Sequence, residues 1–145
     1  ADLYGADLSG ADLSWADLSR ANLSGVNLYG AKNSALAEAL TVILPQGDLI
    51  GWKQCKDNVI VKLRIPHDAK RSNGTGRKCR AEFVEVLEVI GAEVGLSKIP
   101  SGGEQLEYRV GQRVKCVEPF ADNRWQECSS GIHFYITREE AENDG

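Results

Sequence analysis

No apolar run in the 145 residues approaches the ~18 that a membrane-crossing helix needs, so no membrane span is expected. The chain also lacks the basic-then-apolar opening of a secretory signal, since it begins with alternating Ala, Asp and Leu. Its four cysteines, Cys55, Cys79, Cys116 and Cys128, include no C-x-x-C pair of the kind that builds a zinc knuckle. Without a secretion signal, free thiols in a reducing cytoplasm are expected, and the sequon Asn73-Gly74-Thr75 reads as a chance match. The G-x-x-x-x-G-K-[ST] spacing of a Walker A loop is absent as well. No metal or cofactor is expected.

What is present is the composition of a globular protein, 42% hydrophobic and 26% charged, with fifteen glycines that favour turns and strands over helices. The net charge is −4, unevenly placed. Residues 53–80 carry nine Lys/Arg against two Asp, and residues 81–145 carry six basic against thirteen acidic residues. Two readings stay open: a dipolar surface that steers an anionic partner, or two regions that neutralise each other across a sheet.

The dominant pattern has period five. Leu recurs at 3, 8, 13, 18, 23 and 28; Ala holds 1, 6, 11, 16 and 21, followed by Val26; Asp or Asn comes after each. On an α-helix five residues advance the angle by about 500°, so successive leucines step by about 140° and scatter over every face. On a flat strand each leucine would flip to the opposite face. A chain that turns after every repeat keeps the leucines inside, and it winds into coils that pair about 4.8 Å apart.

This A-[D/N]-L-x-x motif resembles the pentapeptide-repeat family. The resemblance covers residues 1 to about 33 and implies a right-handed, four-sided β-helix with four repeats per coil, filled by Leu and the small Ala. Some members resemble B-DNA in shape and charge and bind DNA gyrase. Here Asp2, Asp7, Asp12 and Asp17 are offset by Arg20 and Lys32, leaving −2 over residues 1–33, and turn bonding by the Asp side chains is the favoured reading. The seventh repeat, Ala31-Lys32-Asn33, lacks its Leu. Seven repeats are under two coils, too few to bury a solenoid core alone, and the chain starts inside the pattern, so further repeats upstream are expected. Leu36, Ala39, Leu40 and Ile43 form a helical stripe between Ser34 and Pro45, predicting a capping helix over 34–44.

Residues 45–145 read as a compact β-rich domain, with strands expected over 48–54, 58–65, 79–90, 106–110, 113–118 and 131–137. Thr137 with Glu140 is a capping box that opens a short helix over 138–143. The strings Ile65-Pro66, Lys78-Cys79-Arg80 and Cys128-Ser129-Ser130-Gly131-Ile132-His133-Phe134 resemble an uncharacterised domain found with pentapeptide repeats in bacterial and phage proteins; this resemblance implies no activity.

Three groups of residues invite chemistry. Lys78 and Arg80 flank Cys79 and would lower its thiol pKa if it were exposed, whereas strand alternation turns it inward with Ala81 and Phe83, which is the favoured reading. Cys128 and His133 are near enough for a nucleophile–base pair; His133 and Tyr135 share the more polar face of their strand, while Ile132, Phe134 and Ile136 take the other. A structural histidine is the favoured alternative, and a zinc site drawing on His67, His133 and the cysteines has no supporting spacing. The loop 70–78 is glycine-rich and basic, so its N–H groups with Arg71, Arg77 and Lys78 form a candidate phosphate cradle, against the plainer reading of a soluble hairpin tip.

The sequence therefore implies an all-β protein with two short helices: a right-handed quadrilateral β-helix end (1–33), a helical cap (34–44) and a β-rich domain (45–145). The leading expectation is a non-catalytic interaction module or scaffold, with a protein partner and scope for homo-oligomerisation. The alternative is an anionic ligand, a nucleotide or nucleic acid, bound or acted on through Arg71, Arg77, Lys78, Arg80, Cys128, His133 and Tyr135. Whether the chain is an enzyme stays open.

Overall fold

A computed structural model describes residues 2–13, 16–18, 21, 23, 26–32, 39, 41–74, 76–98, 105–116, 119–120 and 130–144. In the repeats, each described Leu-x-Gly-Ala stretch turns the chain: the N–H groups of Ala6, Ala11 and Ala31 donate to the carbonyls of Leu3, Leu8 and Leu28 at 2.9, 3.0 and 3.0 Å. Gly5, Gly10 and Gly30 stand third in these turns with φ of 66°, 71° and 68°, the left-handed value that a type II turn demands there. The side chains of Asp2, Asp7 and Asn27 accept from the N–H two residues on at 3.0, 2.9 and 3.0 Å. Hydrogen bonds from Ser9 hold the Asp7 carboxyl below its usual range. These side chains thus serve the local turns, as the plainer reading expected.

Asp7 lies beside Asn27 and Asp12 beside Lys32 in parallel bridges. Leu8 N–H donates to Asn27 O at 2.8 Å, and Asn27 N–H donates to Ala6 O at 2.9 Å. The backbone thus meets itself twenty residues on, four pentapeptides later. Leu18, Ala21 and Leu23 are buried, with Leu3, Leu13, Ala16 and Val26 packed against them. Of the helix expected over 34–44, residues 34–38 and 40 lie outside the described residues; Ala39 is helical, and 42–44 are not. That end is a correction: Ile43 N–H donates to the Asn73 side chain at 3.3 Å instead of continuing a helix.

The second part is antiparallel β. Its described strands are β1 (Leu49–Gln54), β2 (Ile60–Ile65), β3 (Arg71–Asn73), β4 (Cys79–Ala81), β5 (Phe83–Ile90), β6 (Gly95–Leu96), β7 (Glu107–Tyr108), β8 (Arg113–Lys115) and β9 (Ile132–Phe134), followed by helix α1 (Arg138–Glu142). They form sheets β1-β2-β5-β8, β3-β4-β9 and β6-β7. The two larger sheets are continuous. Glu82 alone separates β4 from β5, and beyond β9 Tyr135 exchanges two 2.7 Å backbone hydrogen bonds with Trp52 of β1. The pairings β1-β2-β5/β4-β9 therefore return to β1 and enclose one core. Val61, Leu63 and Ile65 of β2, Cys79 and Ala81 of β4, Val84 and Val86 of β5, and Ile132 and Phe134 of β9 fill it.

The expected strand 79–90 is bent at Glu82, whose N–H donates to Lys70 O and whose carbonyl accepts from Cys116 N–H. The bend changes parity. Cys79 and Ala81 point inward as expected, but Phe83 does not share their burial; Val84 and Val86 take over the core, and Arg113 covers Phe83 at 4.5 Å. Strand β3 falls in the stretch read as loop: its polar Arg71-Ser72-Asn73 pairs with β4 through backbone bonds, a pairing that hydrophobic patterning does not signal. Thr137 accepts from Glu140 N–H at 3.3 Å, which is the expected cap of the last helix.

Candidate functional site

The two halves of the charge distribution meet. Glu85 of β5 takes Arg64 of β2 at 3.4 Å and Arg113 of β8 at 3.1 Å. Arg77 donates to both carboxylate oxygens of Glu140, at 3.0 and 2.8 Å. Lys78 Nζ lies 3.6 Å from Asp144. The basic 53–80 region and the acidic remainder thus pair across the fold at these points.

The structure gives each described candidate residue a definite place. Arg71 donates to the carbonyls of Pro45, Gly47, Ile65, Pro66 and Ala69, which ties the 45–47 segment to the end of β2. It lines a cleft of about 610 Å³ between 42–47 and β3, with Val42, Leu44 and His67 also on the walls. Arg80 lies on the opposite face of β4 from Cys79, yet it is only 2% exposed. Its guanidinium sits 4.7 Å from the Phe120 ring and donates to Ser130 O at 3.0 Å. Gly131 makes room for this packing, because a Cβ there would come 3.0 Å from Arg80 Cβ and 3.3 Å from Phe120. His133 is the cross-strand neighbour of Arg80, so the basic hairpin and the histidine strand do come together. Arg71 is bonded elsewhere, at the cleft, and Cys128 lies outside the described residues.

Cys79 is fully buried and donates to Arg77 O at 3.4 Å. Burial raises the thiol pKa of Cys55 and of Cys116, which opposes thiolate formation at either position. Among the described residues no group of three or more His, Cys, Asp and Glu is placed to hold a metal. His67 is exposed beside Asp48, 3.5 Å away.

Around Tyr135, where β1, the end of β9 and α1 meet, lie two lysines that the sequence reading missed. Lys53 occupies the inward parity of β1 with Leu49 and Gly51 and pairs with the fully buried Val61. Its ammonium donates to His133 O at 3.1 Å, and burial drives its pKa down to about 8. Lys98 donates to Gln54 Oε1 and, at 2.8 Å, to Asp144 O. Tyr135 donates its hydroxyl to Asp144 at 3.2 Å; burial first, then the Asp144 charge, push its pKa up to about 12. The available signal was the alternation Leu49, Gly51, Lys53, which puts a lysine on the apolar side of a strand. No signal tied Lys98 to it.

Among the described residues no helix is long and apolar enough to cross a membrane. No curated protein and no solved structure matches the chain. A model for pentapeptide repeats, built of eight copies, matches residues 1–32. The family of unknown function DUF5758 matches residues 40–141, a span that contains all nine strands and most of α1. With its five-residue repeats followed by this β domain, the chain belongs to the DUF5758 family and carries pentapeptide repeats ahead of that domain.

Proposed function

We propose that the chain is a non-catalytic protein-interaction module, in which the repeat segment is a docking surface or spacer and the β domain belongs to the same partner-binding unit. In this reading the repeats are the end of a right-handed quadrilateral β-helix in a bacterial or phage protein acting in the cytoplasm, where Cys55, Cys79 and Cys116 stay free. The twenty-residue return of the backbone supports the coil geometry. The observation that carries the functional reading is the exposure of two aromatic side chains on that hydrogen-bonded frame: Tyr4 is 72% and Tyr29 86% exposed. Aromatic anchors on a rigid surface bury large areas at small entropic cost, which is why they dominate protein interfaces. Neither tyrosine is needed for the turn that it occupies, since the side-chain bonds there come from Asp2 and Asn27.

The test is affinity capture with the intact chain and with the Tyr4→Ser/Tyr29→Ser double variant, compared at equal thermal stability. A partner retained by the natural chain and reduced at least about tenfold by the double variant, as removal of interface hot spots gives, supports the reading. Identical capture by both, or capture of nothing, refutes it.

A further inference from the structure

Four cations reach the 137–144 segment from separate places in the domain: Lys53 from β1, Arg77 and Lys78 from the turn before β4, and Lys98 from the stretch after β6. The carboxylates that Arg77 and Lys78 contact are Glu140 and Asp144, both within that segment. Lys98 meets the segment through a carbonyl, and Lys53 spends its hydrogen bond on His133 O. The Lys53 ammonium also lies within electrostatic range of Lys78, Lys98 and Asp144. Four positive charges thus face two carboxylates, a local surplus of two.

Like charges are not gathered in a partly enclosed place without cost. Lys53 shows it: burial first, with Lys78 and Lys98 as smaller contributions, brings its pKa from 10.5 down to about 8. The segment that neutralises the cluster is held by more than its carboxylates. Ala141 is fully buried, Gln54 donates to Glu142 O at 3.1 Å, and Thr137 caps the helix. Asp144 can therefore swing aside while α1 stays docked, and Glu140 can do so by giving up the 2.8 Å bond from the Thr137 hydroxyl while its N–H keeps the cap.

We propose that Lys53, Arg77, Lys78 and Lys98 form a binding site for a small polyphosphate, a nucleoside di- or triphosphate in class, and that Glu140 and Asp144 occupy it as competing internal anions. The charge balance selects the ligand. An anion that replaces two carboxylates and cancels a surplus of two carries about four negative charges, which a triphosphate supplies at neutral pH and a single phosphate does not. Tyr135, whose hydroxyl now bonds Asp144, becomes a further donor to the phosphate when that carboxylate leaves. The site goes beyond the interaction reading and does not depend on it, because the repeats take no part.

The experiment is titration calorimetry of the intact chain with inorganic tripolyphosphate and with ATP, at about 50 and 200 mM salt. The variants are Glu140→Gln/Asp144→Asn, Asp144→Asn alone and Lys98→Met. Gln preserves the capping box, so the double variant keeps its helix start; Asp144→Asn alone lies beyond α1 and serves if the double variant is less stable. Removal of the internal anions is expected to tighten tripolyphosphate binding at least about tenfold, Lys98→Met to weaken it by a similar factor, and salt to weaken both. The site assignment is overturned if neither carboxylate variant binds more tightly than the natural chain, or if Lys98→Met changes nothing. A short oligonucleotide that binds more tightly than tripolyphosphate would overturn the small-ligand assignment.

Discussion

Gly51 of β1 offers the sharpest test of how the β domain is packed. A Cβ built at this position would stand 2.5 Å from Phe134 Cδ2 and 3.0 Å from Ile65 Cδ1. Carbon atoms rest about 3.5–4.0 Å apart, so Phe134 must retreat by about 1 Å or more. It has nowhere to go: Phe134 is 1% exposed and Ile65 fully buried. Overpacking of this kind costs about 1–3 kcal/mol, and the upper end applies to so short a contact. Replacing glycine in a strand gives back about 0.5–1 kcal/mol. Gly51→Ala should therefore destabilise by about 2 kcal/mol, lowering the thermal midpoint by roughly 8–16 °C for a domain of this size. Phe134→Leu alone removes aromatic volume and should cost about 1.5 kcal/mol, well below a full truncation to Ala. Together the two changes relieve each other, because the new methyl group enters space that the ring has left. Urea unfolding of the four proteins in the cycle should give a favourable coupling of about 1.5 kcal/mol. Costs that add to within about 0.5 kcal/mol would refute the claim that these two residues share one tight contact across the point where the sheets close.

Lys53 has a folded pKa of about 8 against an ordinary 10.5, with burial as the main cause. The unfolded chain thus holds this proton more tightly, so the stability penalty is fully present below pH 8 and is relieved as pH rises toward 10.5. The stability of the natural chain minus that of Lys53→Met should rise across that window by denaturant titration; a flat difference would show that the ammonium is not enclosed. Arg80→Ala should cost about 3 kcal/mol or more, since it empties a buried stack on Phe120 and strands Ser130 O. Arg113→Ala, which removes an exposed ion pair and a surface contact with Phe83, should cost about 1 kcal/mol or less; equal losses by chemical denaturation would contradict the burial difference.

Much of the chain could be read without coordinates, and the readable parts share a cause. A five-residue period fits neither helix nor flat strand, so the repeat's leucines and turn glycines announced a chain that turns every five residues. Val61, Leu63 and Ile65 alternate, so β2 declared its inner face, and Thr137 with Glu140 declared a helix start. These are local rules, enforced by backbone geometry within a few residues. The stretch 71–73 is polar and became a strand because β4 offered it a partner. The strand 79–90 broke at Glu82 because Lys70 and Cys116 claim that residue's backbone, and neither is near it in sequence. In the same way the enclosure of Arg80 and Lys53 depends on Phe120, Ser130 and His133, all distant from them in sequence. The repeat, the alternation and the caps were legible along the chain, because each is set by neighbouring dihedrals and turn bonds. The tertiary structure alone decided which charges are enclosed and which partner each one meets, because burial and Coulomb attraction depend on distance in space, and residues 53, 98 and 144 become neighbours only when the sheets close.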